Sequence, residues 1–363
     1  MIRKRADGRW EARVSLPDGT RKSYYGKTRQ EVAQQLAQAQ HDLAKGLPIV
    51  AERQTVEQYL TSWLEVVKTQ IRASSYRRCE DHIRLHLVPK LGKVVLSKLT
   101  AQQVQALYSQ KLKEGLSART VHHIHVTLHH ALKDAFRLGL VQRNVVEMVK
   151  PPRPEHREMR TLTAIQANHL LDIAQGDRFH ALYVLALTTG MRRGELLALR
   201  WQDVDLEQRF LQVRVSLQEA RPTYIVAEPK TAYSRRRIML SQAAVDALRA
   251  HRIRQNEERL QLGPVWQDND LVFPNQIGKL MDPSGFLQMF KQLLVKAGIP
   301  PIRFHDLRHT AATLLLERGV MPKTVSEMLG HSSVKITLDL YGHVTPRMQQ
   351  AVADTMDALF RRA

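Results

Sequence analysis

Hydrophobic and polar positions repeat with period two near the start of the chain and with a helical period over most of the rest. Trp10, Ala12, Val14 and Leu16 alternate with Glu11, Arg13 and Ser15, as in a strand with one buried face. Asp7-Gly8 and Asp18-Gly19 are hairpin dipeptides that bracket it, so residues 2–5 and 21–26 are expected as its antiparallel neighbours. Thr28, with Glu31 three residues on, forms a capping box, and Val32, Leu36 and Leu43 give the helix behind it an apolar side. Gly46-Leu47-Pro48 stops that helix. Residues 1–50 are thus predicted as a small three-stranded β-sheet plus one helix. Such a core is marginal, which suits binding better than catalysis.

Residues 52–150 read as an all-α segment. Val56, Leu60, Trp63, Leu64 and Val67 share one helical face. Leu99-Thr100 opens a second helix whose apolar positions are Val104, Leu107 and Leu112. A third runs from Ser117 through Val121, Ile124, Leu128, Leu132 and Phe136 to a stop at Gly139. That helix also carries His122, His123, His125, His129 and His130, away from its leucines. His125 and His129 lie four apart, a possible metal pair, but no carboxylate or cysteine completes a ligand set. A solvated or phosphate-facing helix is the better reading.

Pro151-Pro152-Arg153-Pro154 forbids helix continuation and predicts a stiff linker over residues 151–159. Residues 160–363 then form a mixed, mainly α domain with a small β-sheet. The whole is a multidomain chain. Its longest apolar stretch, residues 181–187, is far short of the roughly 20 residues that span a bilayer. Nothing at the start reads as a signal peptide, and the single cysteine, Cys79, has no partner for a disulfide. The expectation is a soluble protein of a reducing cytoplasm, with no membrane partner.

Charge changes the picture. The 363 residues carry 55 Lys and Arg against 35 Asp and Glu, a formal charge of +20. Residues 1–50 hold 10 basic and 5 acidic side chains, residues 51–155 hold 17 and 9, and the remainder 28 and 21. The excess is spread over every segment, as expected if the whole molecule lies along a polyanion, with binding that weakens steeply in salt. Arg3, Arg5, Arg13, Arg21 and Lys22 could present one basic sheet face to a DNA groove.

Candidate chemistry lies after the linker. Thr189-Gly190-Met191-Arg192 leaves an apolar helix through a glycine turn, placing Arg192 where a guanidinium can reach a cleft. In Phe304-His305-Asp306-Leu307-Arg308-His309, His305 and Arg308 are three apart and share a helical face, while Leu307, Ala311 and Leu314 turn inward. Leu329-Gly330-His331-Ser332 is followed ten residues after His331 by Tyr341. Each residue alone has an ordinary explanation as surface or satisfied core.

Together these segments closely resemble the tyrosine recombinases, the phage integrase family. Thr189-Gly190-Met191-Arg192 through Trp201-Gln202-Asp203-Val204-Asp205 match its first box, and His305-Asp306-Leu307-Arg308-His309, Leu329-Gly330-His331-Ser332 and Leu340-Tyr341 its second. Pro229-Lys230-Thr231-Ala232-Tyr233-Ser234-Arg235-Arg236 matches the hairpin of the family's catalytic lysine, which points to Lys230. The match covers about residues 160–345 and extends more loosely to the family's helical core-binding domain (52–150) and arm-site sheet (1–50).

The resemblance implies a site-specific recombinase that cleaves DNA through a 3′-phosphotyrosyl intermediate. Tyr341 is the implied nucleophile, Arg192, Arg308 and His331 hold the phosphate, His305 assists proton removal, and Lys230 protonates the leaving oxygen. Glu195 is expected to orient His305 or Arg192. No cofactor and no metal is required. Implied partners are double-stranded DNA at attachment sites, a homotetramer on paired sites, and, for control of direction, a host DNA-bending protein and an excisionase. Ala351, Val352, Thr355, Met356, Leu359 and Phe360 form an amphipathic stripe expected to dock in trans on a neighbouring subunit. Integration of a phage or other mobile element suits the three-segment layout; chromosome-dimer resolution, simple DNA relaxation, or a DNA-binding regulator that keeps the fold are the alternatives.

Overall fold

The structure, a computed structural model, describes residues 2–15, 21–44, 54–155, 159–220, 223–227 and 235–341, with positions 353, 354, 356, 357 and 360. It divides into two compact units, Met1–Arg157 and Glu158–Ala363. The expected Asp18-Gly19 turn, the Gly46 stop, Lys230 and most of the C-terminal stripe lie outside the described residues.

In the first unit, strands β1 (Ile2–Lys4), β2 (Trp10–Ser15) and β3 (Arg21–Gly26) form an antiparallel sheet in that order. The first hairpin closes at Gly8, whose φ of 81° needs no Cβ. Helix α1 (Arg29–Ala44) begins at the expected cap, with Glu31 N–H donating to Thr28 Oγ1 and Lys27 N–H to Glu31 Oε2. Val14 packs with Ala39, Tyr24 and Leu36, so one face of the sheet is covered by the helix.

The helical part comprises α2 (Val56–Lys68), α3 (Ala73–His82), α4 (Val88–Leu91), α5 (Ala101–Lys113) and α6 (Ala118–Arg137). Thr55 with Gln58 and Thr100 with Gln103 close capping boxes at α2 and α5. Val56, Leu60, Trp63, Leu64 and Val67 are all buried, as their spacing predicts. Tyr59 donates to the Ala131 carbonyl and Trp63 Nε1 to Asp134, which pins α2 to α6 by its polar tips as well as its apolar face. Leu112 and Phe136 are exposed instead of buried; Tyr108 and Ala135 take the inward positions. The histidines of α6 stack in sequence, His122 on His125 and His125 on His129, with His125 also bonded to the Tyr108 hydroxyl. Among the described residues no three of His, Cys, Asp and Glu gather as ligands of a metal ion would.

In the second unit, α7 (Ala164–Ile173) and α8 (His180–Thr189) lead to the short α9 (Arg193–Leu197). The apolar α8 is buried almost all round and forms the centre of the core with α10 (Gln242–Leu262), α11 (Pro283–Lys296) and α12 (Phe304–Glu317). Between α9 and α10 lie β4 (Val204–Asp205), β5 (Phe210–Val213), β6 (Ser216–Ala220), β7 (Thr223–Ala227) and β8 (Arg236–Met239). β5 pairs with β4 and β8, while β6 pairs with β7. The register matters. Val213 faces Arg236 and Ser216 faces Ala227, so two residues on the outgoing strand oppose residues 228–235 on the return. The hairpin expected around Lys230 falls on residues 228–234, which lie outside the described residues. Helices α13 (Pro322–Leu329) and α14 (Val334–Tyr341) complete the unit. No helix among the described residues is long and apolar enough to cross a membrane.

The fold class is the one the sequence implies: a small sheet with one helix, an all-helical part, and a mainly helical remainder with small sheets.

Candidate active site

Two left-handed glycines organise the second unit's candidate site. Gly190 ends α8 with φ 60°, and Gly330 ends α13 with φ 68°. Each is the expected residue at a helix stop of this shape. Their carbonyls are used in a crossed pattern: Arg308 Nη1 donates to Gly190 O at 2.8 Å, and Arg192 Nη2 donates to Gly330 O at 3.0 Å. Arg308 is thus fastened to the glycine of the Arg192 motif, and Arg192 to the glycine of the His331 motif. Arg308 is 3% exposed on α12, with its stem running past Gly190, whereas the Arg192 side chain is 37% exposed. A guanidinium has five N–H donors. The bonds described for Arg192 leave donors available on its exposed side.

Glu195, on α9 and 2% exposed, accepts from the Arg192 backbone N–H at 2.9 Å and from Arg192 Nη1 at 2.8 Å. It therefore orients Arg192, one of the two partners expected for it. Sequence reasoning missed its second partner. Arg236, the first residue of β8, forks onto Glu195 at 2.9 and 3.2 Å, and its Nε donates to the Met328 carbonyl at 2.5 Å. A signal for this was present. Ile238, two residues along, is a core position, so strand alternation turns Arg236 to the same inner face while Arg237 and Met239 point out. An inward arginine needs a carboxylate. Burial pushes the Glu195 carboxyl up, but Arg236 and Arg192 overcome this and hold it below the ordinary range.

His331 follows Gly330 directly, and its Nδ1 lies 2.8 Å from Thr337 Oγ1, a hydroxyl with no exposure. Its surroundings, then Arg308 and Arg192, depress its pKa to about 4, so the ring is neutral at pH 7. His305 is exposed at the first turn of α12, edge-on to His309 at 4.8 Å between ring centres. The protein around it, with His309, Arg308 and Arg303 beside it, also pushes its pKa down. Both imidazoles stand in a field of guanidinium charge. The Asp306 carboxylate opposes the depression at His305 and His309; it is buried and caps α12 with Arg303, while Thr310 ties that helix to the Leu162 N–H.

The structure thus gathers Arg192, Glu195, Arg308 and His331 through hydrogen bonds and shared glycine turns, with His305 one helical turn before Arg308. Tyr341 is the last residue of α14, in the helix that follows His331. Lys230 lies outside the described residues. The remaining box residues are structural: Trp201 donates to Gln255, and Asp205 accepts from Glu207 and Gln208 to close a turn.

The basic sheet of the first unit is less uniform than its sequence suggests. Arg3 and Arg13 both pair with Glu11, which is 1% exposed between them, and the Arg5 guanidinium lies over the Tyr25 ring. Glu11 is held at a pKa of about 2, chiefly by Arg13 and then Arg3. The register puts Arg21 on this outer face, opposite Ser15, whereas Lys22 is opposite Val14 and belongs to the helix-covered face. The five cations therefore do not share one face.

A model of the phage integrase family matches residues 160–348, and a model of the phage integrase N-terminal SAM-like domain matches residues 55–112. A tyrosine recombinase XerC-like protein of Caldanaerobacter subterraneus is 32% identical over 94% of this chain and 92% of its own. An integrase of Streptomyces ambofaciens is 32% identical over 98% of this chain and 94% of its own. Among solved structures, the Tn1549 transposon integrase in complex with a circular intermediate DNA has a TM-score of 0.71 at 22% identity, covering 84% of this chain and 99% of that one. A lambda integrase dimer bound to a core site has a TM-score of 0.61 at 19% identity, covering 94% of each chain. The two structural likenesses are of fold. The chain belongs to the phage integrase family of tyrosine recombinases. Its enzyme class, the breakage and rejoining of DNA strands by an integrase, follows from that membership.

Proposed function

We propose that the second unit cuts and rejoins DNA by transesterification through Tyr341, and that the chain uses this to integrate and excise a phage genome or other mobile element. The observation that carries the reading is the crossed anchoring of Arg192 and Arg308 on Gly330 and Gly190, which sets two fixed guanidiniums beside a neutral His331. Planar guanidiniums fork onto phosphate oxygens, and charges preorganised for the transition state dominate phosphoryl transfer. They do the work that metal ions do elsewhere, so the reaction needs no cofactor.

The steps follow from the groups. A phenol of ordinary pKa about 10 needs help to attack at neutral pH. His305, neutral because its pKa is depressed, accepts the Tyr341 proton. The Tyr341 oxygen then attacks phosphorus, the bond to the 5′ oxygen breaks, and Lys230 gives that oxygen its proton. In the tautomer this role requires, the Thr337 hydroxyl donates to Nδ1 and the single proton of His331 sits on Nε2, where it is offered to a non-bridging oxygen. The 3′-phosphotyrosyl bond keeps the phosphodiester energy, so a new 5′ hydroxyl religates the strand without ATP.

Residues 1–50 are assigned to arm-type DNA sites, 52–150 to the core site, 151–159 to the linker and 160–363 to catalysis. The outer-face cations Arg3, Arg5, Arg13 and Arg21 supply the first contact. Two sequential strand exchanges need four active sites, hence a homotetramer on paired attachment sites in the bacterial cytoplasm. Residues 349–363 join neighbouring subunits, and a host DNA-bending protein and an excisionase set direction.

The test uses a nicked suicide duplex carrying the element's junction core, with wild type and Tyr341→Phe, in EDTA and without ATP. A covalent protein–DNA adduct in wild type alone is expected. An adduct with Tyr341→Phe would remove Tyr341 from its role, and duplex binding without any adduct would remove the recombinase reaction.

A further inference from the structure

Arg236 stands outside the six residues to which the proposed chemistry gives roles, yet it bonds to two separate parts of the site. Its side chain is 7% exposed. It forks onto both oxygens of Glu195 and donates a third bond to Met328 O, two residues before Gly330, whose carbonyl holds Arg192. It is also the residue at which the chain, after the segment carrying Lys230, re-enters the sheet opposite Val213. Three separate pieces therefore meet on one guanidinium: the end of the Lys230 segment, the carboxylate behind Arg192, and the turn that presents His331.

Charge shows why this matters. Glu195 is buried against Arg192 and is ionised. A lone buried carboxylate would neutralise Arg192 outright and compete with a phosphate for its donors. Arg236 supplies the second positive charge. With it, Arg192, Arg236 and Glu195 together carry a net charge of +1, and Arg192 keeps its attraction for an anion. Without it, the Glu195–Arg192 pair is neutral.

We infer that Arg236 is a positioning residue for strand cleavage: it satisfies Glu195 so that Arg192 remains free to bind the scissile phosphate, and it braces the His331 turn through Met328. This rests on the reading of Arg192 as a phosphate-binding residue in the proposed recombinase reaction.

The experiment measures the rate of covalent adduct formation on the suicide duplex for the full chain. It compares wild type, Arg236→Gln, Arg236→Lys, and the double variant Arg236→Gln with Glu195→Gln. Gel shifts on an uncleaved duplex and thermal melts run alongside. Arg236→Gln is expected to bind DNA like wild type and cleave about 100-fold more slowly, the scale of one misdirected electrostatic donor. Arg236→Lys keeps the charge without the fork and is expected within about tenfold of wild type.

The double variant is decisive. Removing the carboxylate that Arg236 no longer satisfies frees Arg192, so cleavage is expected to recover at least about tenfold over Arg236→Gln alone, or about 1.4 kcal/mol. It also removes both buried charges, so it folds even if Arg236→Gln does not. A merely structural Arg236 gives a recovery that only follows restored folding in the thermal melts. The recovery is therefore read as a cleavage rate per folded protein, and a structural role leaves that rate unchanged between Arg236→Gln and the double variant. Wild-type cleavage by Arg236→Gln, or a double variant no faster than Arg236→Gln, overturns the proposal. Absence of an adduct with wild type overturns the recombinase reading itself, and the role of Arg236 with it.

Discussion

Arg308 Nη1 donates to the carbonyl of Gly190 at 2.8 Å, joining residues 118 positions apart in sequence. The bond depends on Gly190 being in the left-handed region, where the carbonyl turns toward α12 and a Cβ would strike Leu329 Cδ2. Gly190→Ala is expected to destabilise the protein by about 1–3 kcal/mol, the cost of a side chain held in that conformation. Cleavage should fall more than stability does, because Arg308 loses its anchor. Thermal melts and adduct rates on the same preparation check this; an alanine variant of wild-type stability and rate would sink it.

Arg308→Lys tests the fork. Lysine keeps the charge but cannot hold Gly190 and a phosphate oxygen in one rigid plane. The adduct rate is expected to drop about 100-fold to 1,000-fold, with duplex affinity little changed, since one missing donor in a preorganised site costs about that much. A rate within a fewfold of wild type would mean that charge alone suffices.

Stability should fall in mild acid. His251 is 5% exposed; its Nε2 lies 2.6 Å from Val272 O, and Arg254 donates to its Nδ1 at 3.1 Å. The ring is therefore fixed as a neutral tautomer, with Nε2 the donor. Burial, opposed by the Val272 bond and aided by Arg254, lowers its pKa from 6.5 to about 4. The unfolded chain binds the proton first, so this contribution is complete above about pH 6.5 and is lost as pH falls toward 4. His82, lowered to about 4 chiefly by burial, adds in the same sense. A tenfold difference in proton affinity between the folded and unfolded chain is worth about 1.4 kcal/mol. Melting curves between pH 7 and pH 4.5 are expected to show a falling Tm; a flat profile over that window would contradict the assignment.

The basic outer face of the first unit gives a salt test. Arg13 is half-exposed and aimed by Glu11. If it contacts a phosphate, Arg13→Ala should weaken binding to arm-type duplexes of any sequence and reduce the slope of log K against log salt by about 1. An unchanged slope would remove Arg13 from the interface.

Much of this was legible in the sequence because it rests on local rules. Thr28-Glu31, Thr100 and Ser117 announce helix starts by side-chain chemistry, and the caps form accordingly. Residues 73–91 fall within the segment read as all-α, but no individual helix is legible there. The first ten of them are polar and irregular, and a π-helical turn at Ile83–Leu87 shifts the periodicity before Pro89. Arg192, Arg308 and His331 were recognisable by motif, but their mutual fastening through glycine carbonyls is long-range and leaves no local pattern. Arg236 stood in the run Arg235-Arg236-Arg237, where composition is uniform and only strand parity picks out the buried member.

The mismatch in register between Val213–Ser216 and Ala227–Arg236 bears on how the proposed leaving-group acid could be tuned. Pairing is fixed independently on both sides of residues 228–235, by β6 with β7 and by β5 with β8. A change of length between the two ladders leaves the pairing of Ser216–Ala220 with Thr223–Ala227 and of Phe210–Val213 with Arg236–Met239 in place. On the proposed role of Lys230 as leaving-group acid, such a change acts on the delivery of its proton to the phosphate. With Lys230 in its proposed role, reactivity is separable from foldedness here: insertions and deletions between Ala227 and Arg236 are expected to change the rate of strand cleavage and to leave the bonds of Arg192 and Arg236 to Glu195 as they are.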